Sequence, residues 1–203
     1  IQKGESLGNF YMWRYAGHSA DGEWLVYDKD GDIIRASQAS DADRQVVGNG
    51  MPKFTMSSSH NFRYKNFDLS LFFRGAFGYD IFNIHDFYYG TRNFTGNRLD
   101  KAYGKNFVVS GSANPVVCDY FLEKGDYLKL DMMTLGYTLN LKDCPYLDRV
   151  RVYGTMKNIF TITKFSGVDP SSYQVNGLTP GAQGSRTYFP TTRQFIVGLQ
   201  IDF

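Results

Sequence analysis

The sequence has little of what many functional classes require. Its 203 residues include only two cysteines, Cys118 and Cys144, too few for a disulfide scaffold and without zinc-ligand spacing. The three histidines, His18, His60 and His85, are scattered, again without ligand spacing. No run of about 18 apolar residues occurs, which excludes a membrane-spanning helix. The formal net charge is +2, from 22 Lys and Arg against 20 Asp and Glu. That balance lacks the basic excess of a nucleic-acid binder. There is no Gly-x-Ser-x-Gly elbow, P-loop or dinucleotide fingerprint, so no catalytic constellation and no cofactor site can be assembled. An enzyme is not expected.

Aromatic residues and glycine are abundant instead: Phe 17, Tyr 15, Trp 2 and Gly 21. That mixture suits strands and turns better than helices. Helical periodicity is almost absent and period-two alternation recurs. In the last segment Arg193, Phe195, Val197, Leu199, Ile201 and Phe203 share one face. In Phe67 to Phe77, the residues Phe67, Leu69, Leu71, Phe73 and Phe77 oppose Asp68, Ser70 and Arg74. Before it, Phe54, Met56 and Phe62 oppose Lys53, Thr55, Ser57 and Asn61, and Tyr64-Lys65-Asn66 reads as the hairpin turn between the two. His60 falls on the apolar side of that pattern, where it reads as an interfacial residue.

From Arg149 to Phe160, Val150, Val152, Met156 and Phe160 oppose Arg149, Arg151, Thr155 and Lys157. From Tyr127 to Leu139, Met133, Leu135, Tyr137 and Leu139 share a face, but Leu128 and Leu130 have the opposite parity. A bulge or a two-sided contact is expected between them. With a weakly patterned aromatic stretch at Asn9 to Tyr15, roughly six strands are expected.

The connections alternate in length. Tyr64–Asn66 and Leu141–Asp148 are short, whereas Gly17–Met51, Gly78–Asp126 and Thr161–Thr191 are long and polar. Strict alternation sends all long loops to one end of the sheet, the asymmetry of outer-membrane barrels. A β-sandwich also alternates, with its apolar face turned to a second sheet. Pattern alone leaves both architectures open.

Several blocks carry a resemblance. Tyr188-Phe189-Pro190-Thr191-Thr192-Arg193-Gln194-Phe195-Ile196-Val197-Gly198-Leu199-Gln200-Ile201-Asp202-Phe203 resembles the terminal segment of SusC/RagA-family TonB-dependent transporters. Asp43-Arg44 through Gly50-Met51-Pro52-Lys53-Phe54 is similar to that family's approach to a strand. Tyr64-Lys65-Asn66-Phe67-Asp68-Leu69-Ser70 resembles its hairpin, and Gly78-Tyr79-Asp80-Ile81-Phe82-Asn83 its Gly-x-Asp-Ile-Tyr-Asn element. Tyr127-Leu128-Lys129-Leu130 with Thr134-Leu135-Gly136-Tyr137, Asn158-Ile159-Phe160-Thr161 and Gly167-Val168-Asp169-Pro170 match further family blocks, in order.

The resemblance implies an all-β fold: antiparallel strands of a transmembrane outer-membrane β-barrel, as the C-terminal segment of a roughly 22-stranded plugged barrel. Residues 1–203 are then expected to form only that segment, with no plug domain and no signal peptide in this chain. It also implies part of an outer-membrane TonB-dependent nutrient importer in a Gram-negative, Bacteroidetes-like cell envelope. Such an importer moves oligosaccharides or peptides into the periplasm. Implied partners are the remainder of the barrel and plug, a SusD-like surface lipoprotein, TonB acting through the part not present here, the substrate, and outer-membrane lipid, but no nucleic acid. The alternative is a secreted, soluble β-sandwich module that binds glycans.

With Phe203 at the periplasmic rim, the short turns fall in the periplasm and the long loops outside. The lipid-facing set is then Phe54, Met56, Phe62, Phe67, Leu69, Leu71, Phe73, Leu135, Val150, Val152, Phe195, Val197, Leu199 and Ile201, with Tyr137, Phe160 and Phe203 as interfacial aromatics. Phe195, Val197, Leu199, Ile201 and Phe203 are the expected barrel-assembly signal.

In the long loops, Tyr88, Tyr89, Arg92, Asn93 and Phe94, with Tyr173 and Arg186, are the candidate substrate contacts. Their aromatic, amide and guanidinium groups suit sugar stacking and hydrogen bonding, or peptide binding. A self-packed loop or a lid contact would use the same residues. Asp28, Asp30 and Asp32 are spaced like the start of a calcium loop, yet Ile33 stands where glycine is needed and no Glu closes the loop, so an Asp/Gly turn is favoured. Cys118 and Cys144 lie at opposite ends of the Tyr127–Leu139 strand, beyond the reach of a disulfide.

Overall fold

The computed structural model describes residues 4–93, 95–103, 114–141, 146–173, 179–182 and 191–203. The chain folds into two units: Phe54–Phe77, Tyr127–Thr163 and Phe189–Phe203 form one, and Ile1–Lys53, Gly78–Asp126 and Lys164–Tyr188 the other.

The first unit is an antiparallel sheet of five strands: β6 (Phe54–Tyr64), β7 (Phe67–Phe77), β10 (Tyr127–Asn140), β11 (Arg149–Thr163) and β12 (Gln194–Asp202). Their spatial order is β12-β11-β10-β7-β6. Register carries the alternation of each strand into its neighbour. Phe62 faces Leu69, Leu69 faces Leu135, Tyr137 faces Val152, and Val152 faces Leu199. Directly paired residues share a face, so the apolar positions of all five strands fuse into one surface.

The parity conflict in β10 is resolved by a bulge. Leu130 and Met132 are in register with both neighbours while Asp131 is skipped. The extra residue returns Leu128 and Leu130 to the apolar face and leaves the Asp131 carboxylate 2.6 Å from Arg74 Nε on the other. Opposite the bulge, Asn158 adopts φ 53° and donates from Nδ2 to the Thr192 carbonyl at 2.8 Å. At the other end, the β6–β7 hairpin turns through Lys65 and Asn66, with Lys65 at φ 51°.

The second unit gathers the three long segments. β1 (Asn9–Met12) pairs with β5 (Gln45–Asn49), β2 (Arg14–His18), β3 (Trp24–Tyr27) and β4 (Ile33–Arg35) form a small sheet, and β8 (Asp80–Phe82) pairs with β9 (Leu122–Lys124). A short helix, α1 (Ile84–Tyr89), is capped by Asn83, whose Oδ1 accepts from the Asp86 N–H at 3.1 Å. The core is Trp24, Cys118 and Phe121, with Trp13, Tyr15, Phe82, Phe87 and Tyr120 packed around them.

Two expectations are corrected here. The Asn9–Tyr15 stretch is not a sixth long strand: it is split into β1 and β2, each four or five residues long and paired inside the loop unit. Phe10 is buried and Trp13 and Tyr15 pack against the loop-unit core while Tyr11 is exposed, and the break between β1 and β2 at Trp13 interrupts the period. Nor is Gly17–Met51 an open loop, since it holds β3, β4 and β5.

Candidate functional site

The sheet has two chemically opposed faces. On one, Phe195 is 69% exposed, Val197 84%, Leu199 60%, Phe62 57% and Leu135 50%. A sandwich would enclose these side chains against a second sheet. Here they lie open, so the soluble sandwich is excluded as the architecture of this sheet. Among the described strand residues, Ser58 and His60 on β6 are the polar side chains in the middle of that face. They satisfy each other, with Ser58 Oγ 2.9 Å from His60 Nε2. His60 also stacks near Phe62 and meets Phe73 edge-on.

The other face is polar and internally bonded. Ser70 Oγ donates to Asn61 Oδ1 at 2.7 Å, and Thr134 and Thr155 hydroxyls are 2.8 Å apart. Arg151 reaches over β10 to grip Asp68 on β7 with two hydrogen bonds, from Nε to Oδ1 at 2.9 Å and from Nη2 to Oδ2 at 2.5 Å. Gly136 makes this possible, because a Cβ there would stand 2.5 Å from both Arg151 Nη2 and Asp68 Oδ1. Gly198 does the same for Tyr153, whose ring would lie 2.2 Å from an added Cβ. The spacing of these glycines and charges was visible in the sequence, but only the strand order shows that they meet.

Strand length fits the membrane. Eleven residues of β7 span roughly 37 Å, which at a tilt of 35–45° rises about 26–30 Å, close to the ~25 Å apolar band of a membrane barrel. The register also orders the ends. Phe54 faces Phe77, Ala76 faces Tyr127, and Tyr127 faces Thr163 at one end, from which the long segments depart. At the opposite end Tyr64 faces Phe67 and Asn140 faces Arg149, across the two short connections.

The loop unit is interlocked by hydrogen bonds between its three segments. The Glu123 carboxylate accepts from Asn83 Nδ2 (2.8 Å), Ser166 N (2.7 Å) and Ser166 Oγ (2.7 Å). Asp80 accepts from the Asn49 N–H at 3.1 Å and pairs with Lys124 at 2.6 Å. Asp119 accepts from the Tyr15 N–H at 2.7 Å, and Tyr79 donates to the Pro170 carbonyl at 3.3 Å. Backbone bridges join Trp13 to Cys118 and Phe82 to Ala182. Burial tunes its titratable groups: desolvation raises Tyr15, Tyr120 and Asp86 and lowers His18, while the Lys101 ammonium beside Asp86 opposes its shift. The Cys118 thiol, fully buried, is pushed up to about 12.

Of the candidate substrate contacts, Tyr88 and Tyr89 lie on α1, and Arg92 and Asn93 follow it. Tyr88 belongs to an aromatic pair with Phe87, and the Tyr89 carbonyl accepts from the Leu99 N–H at 2.8 Å. Arg92 Nε donates to the Ala102 carbonyl at 3.1 Å, and Asn93 Nδ2 to Asn114 Oδ1 at 2.5 Å. These four are therefore grouped and already engaged in loop packing. Tyr173 sits in a short 3-10 turn, Pro170–Tyr173. Phe94, Arg186 and Cys144 lie outside the described residues. Asp28 closes the β3–β4 hairpin: its Oδ1 accepts from the N–H groups of Asp30 (2.9 Å) and Asp32 (2.8 Å), with Gly31 at φ 92°. Among the described residues no cluster of three carboxylates, imidazoles or thiols is placed to hold a metal ion.

A sheet with one bare apolar face, one ion-paired polar face and all short turns at one end is a wall segment of an all-β outer-membrane barrel. Comparisons with known proteins agree. No family model matches the chain. It is 28% identical over its whole length to the TonB-dependent receptor P3 of Formosa agariphila, of which it spans 23%. It is 25% identical over 98% of its length to the TonB-dependent receptor SusC of Bacteroides thetaiotaomicron, spanning 20% of that protein. Its fold matches the RagAB peptide importer in the closed-closed state with a TM-score of 0.74 at 25% identity, over 96% of this chain and 23% of that one. Over nearly its whole length the chain is similar to a segment of TonB-dependent transporters of the SusC and RagA type. It spans about a fifth to a quarter of the length of the relatives it matches.

Proposed function

We propose that this chain forms wall and extracellular loops of an outer-membrane, TonB-dependent nutrient importer that moves oligosaccharides or peptides into the periplasm with a SusD-like surface lipoprotein. The observation that carries the reading is the exposed apolar face running from β6 to β12, interrupted only by the mutually bonded Ser58 and His60 among the described strand residues, on strands long enough to cross a bilayer. Hydrocarbon covers that face, and the polar face lines the lumen. The short turns of the sheet lie in the periplasm, and the strand ends from which the long connections depart face outward. TonB acts through parts of the transporter beyond this chain. Tyr88, Tyr89, Arg92 and Asn93, with Phe94, Tyr173 and Arg186, contribute cargo or lid contacts. Support for the cargo class comes from their aromatic and hydrogen-bonding character and from relatives that include SusC and the RagAB peptide importer.

Orientation is tested with a membrane-impermeant maleimide on intact cells carrying single cysteine substitutions in the full-length transporter. Tyr103→Cys, at an exposed loop position, should label at once, and Lys65→Cys in the short hairpin only after permeabilisation; the reverse pattern refutes the topology. Uptake of labelled oligosaccharides against labelled peptides by cells lacking the transporter identifies the cargo. Phe195, Val197, Leu199, Ile201 and Phe203 serve as the assembly signal, so Phe203→Ala should lower outer-membrane abundance. Normal insertion would remove that role.

A further inference from the structure

His18 ends β2 directly opposite Trp24 on β3, where the chain turns through residues 19–23. Its imidazole sits among aromatic rings. Trp24 lies 4.5 Å from it, Tyr15 5.3 Å and Tyr120 6.2 Å, centroid to centroid. Tyr120 comes from a segment distant in sequence, the 3-10 turn Asp119–Phe121. His18 Nδ1 is 2.8 Å from the Tyr15 hydroxyl, while Nε2 is buried and meets no hydrogen-bonding group among the described residues.

This cage suits a neutral ring and not a charged one. Neutral imidazole carries one N–H and the imidazolium carries two. The Tyr15 oxygen accepts one at most, and the other, on Nε2, would be buried without an acceptor beside an uncompensated charge. Attraction to the Trp24 face offsets only part of that cost. The surrounding charges supply no counterion. Lys101 Nζ lies 5.8 Å from the Tyr120 ring and adds repulsion. Asp86 is committed to Lys101, Asp119 to the Tyr15 N–H, and Asp21 and Glu23 in the hairpin turn to Arg35. Arg14, on the same strand, lies over Tyr27, and the Cys118 thiol of this core stays protonated, pushed up to about 12. Burial lowers His18 below the ordinary imidazole value of about 6.5.

We propose that His18 is a proton-sensitive latch in the loop unit: neutral, it closes the β2–β3 hairpin onto the 118–121 segment, and protonated, it leaves the cage and loosens the hairpin. The links beside it are the Trp13–Cys118 bridge and the Tyr15 N–H to the Asp119 carboxylate. The folded-state value is the lower one, so the closed form loses stability as pH falls through about 6.5 and goes on losing it down to the folded value.

The test is hydrogen exchange with mass spectrometry on the full-length transporter, from about pH 8 to about pH 5, with labelling times scaled to the intrinsic exchange rate. Peptides covering β2–β3 and residues 118–121 should lose protection together, beginning below about pH 6.5, while β7 and β10 keep theirs. His18→Phe keeps a ring in the cage and His18→Gln keeps a polar group beside Tyr15, and neither titrates. Either variant, once found protected at the alkaline end, should stay protected at the acid end. Should both be open throughout, the onset in the unsubstituted protein decides alone. Protection that is independent of pH overturns the proposal, as does loss that begins only near about pH 4, where ordinary carboxylates titrate. Loss that persists in a protected variant, or that extends equally to β7 and β10, overturns it too.

Discussion

Val197 and Ile196 are consecutive β-branched residues on β12 that occupy opposite faces. Val197 lies opposite Gly154 on the apolar face, near the middle of a nine-residue strand, and is 84% exposed. Ile196 lies opposite Thr155 on the polar face. An arginine at Val197 would place a guanidinium in hydrocarbon near the bilayer midplane, which costs about 2–4 kcal/mol. That is roughly a 30- to 900-fold shift in the folding equilibrium. Ile196→Arg enlarges a lumen position and should change stability by no more than about 0.5–1 kcal/mol. Urea-dependent folding of each full-length variant into lipid vesicles reads the difference directly. Were the apolar face in contact with water, Val197→Arg would be nearly neutral. Equal effects of the two substitutions, or a larger loss for Ile196→Arg, would refute the assignment of faces.

Gly136→Ala should displace the Arg151 bridge to Asp68 and destabilise the sheet by about 1–3 kcal/mol; combined with Arg151→Ala the losses should be non-additive in a double-mutant cycle, and additivity would show that the added methyl acts elsewhere than on the bridge. The Ser40 N–H and hydroxyl, with the Lys29 N–H, hold the Asp43 carboxyl below its ordinary range. Its folded-state value is depressed, so its contribution is present above the ordinary carboxylate range and is lost as pH falls through the folded value. Fluorescence of Trp13 and Trp24, the chain's two tryptophans and both in the loop unit, should show acid unfolding that Asp43→Asn flattens; an unchanged acid limb would exclude Asp43 as its source. The buried Cys118 thiol should resist alkylation near pH 8 in the native protein and react once the loop unit unfolds, followed by mass spectrometry of its peptide; rapid native labelling would contradict the packed core.

Strand faces were legible because they depend on a local rule. Side chains of successive strand residues point to opposite sides, so the parity of Phe195, Val197, Leu199 and Ile201 declares a face before any partner is known. The β10 bulge was legible for the same reason, as a break in parity at Leu130. The short turns and long connections likewise followed from spacing along the chain.

The loop unit was not legible. Its order comes from contacts between residues far apart in the chain, such as Glu123 with Ser166, Asp119 with Tyr15 and Trp13 with Cys118. No periodicity marks these, and aromatic residues in a long polar stretch read alike whether they face a ligand or a core. Tyr88, Tyr89, Arg92 and Asn93 were chosen on composition, and the fold shows them first as packing and hydrogen-bonding elements. The Arg151–Asp68 bridge over Gly136 needed the order of three strands, and that order is a property of pairing rather than of any one segment. Alternation along the chain thus determined which side of each strand is oily. Tertiary pairing alone decided which polar residues meet on the other side, and that the long connections close on one another, because those free energies arise only once distant segments share a surface.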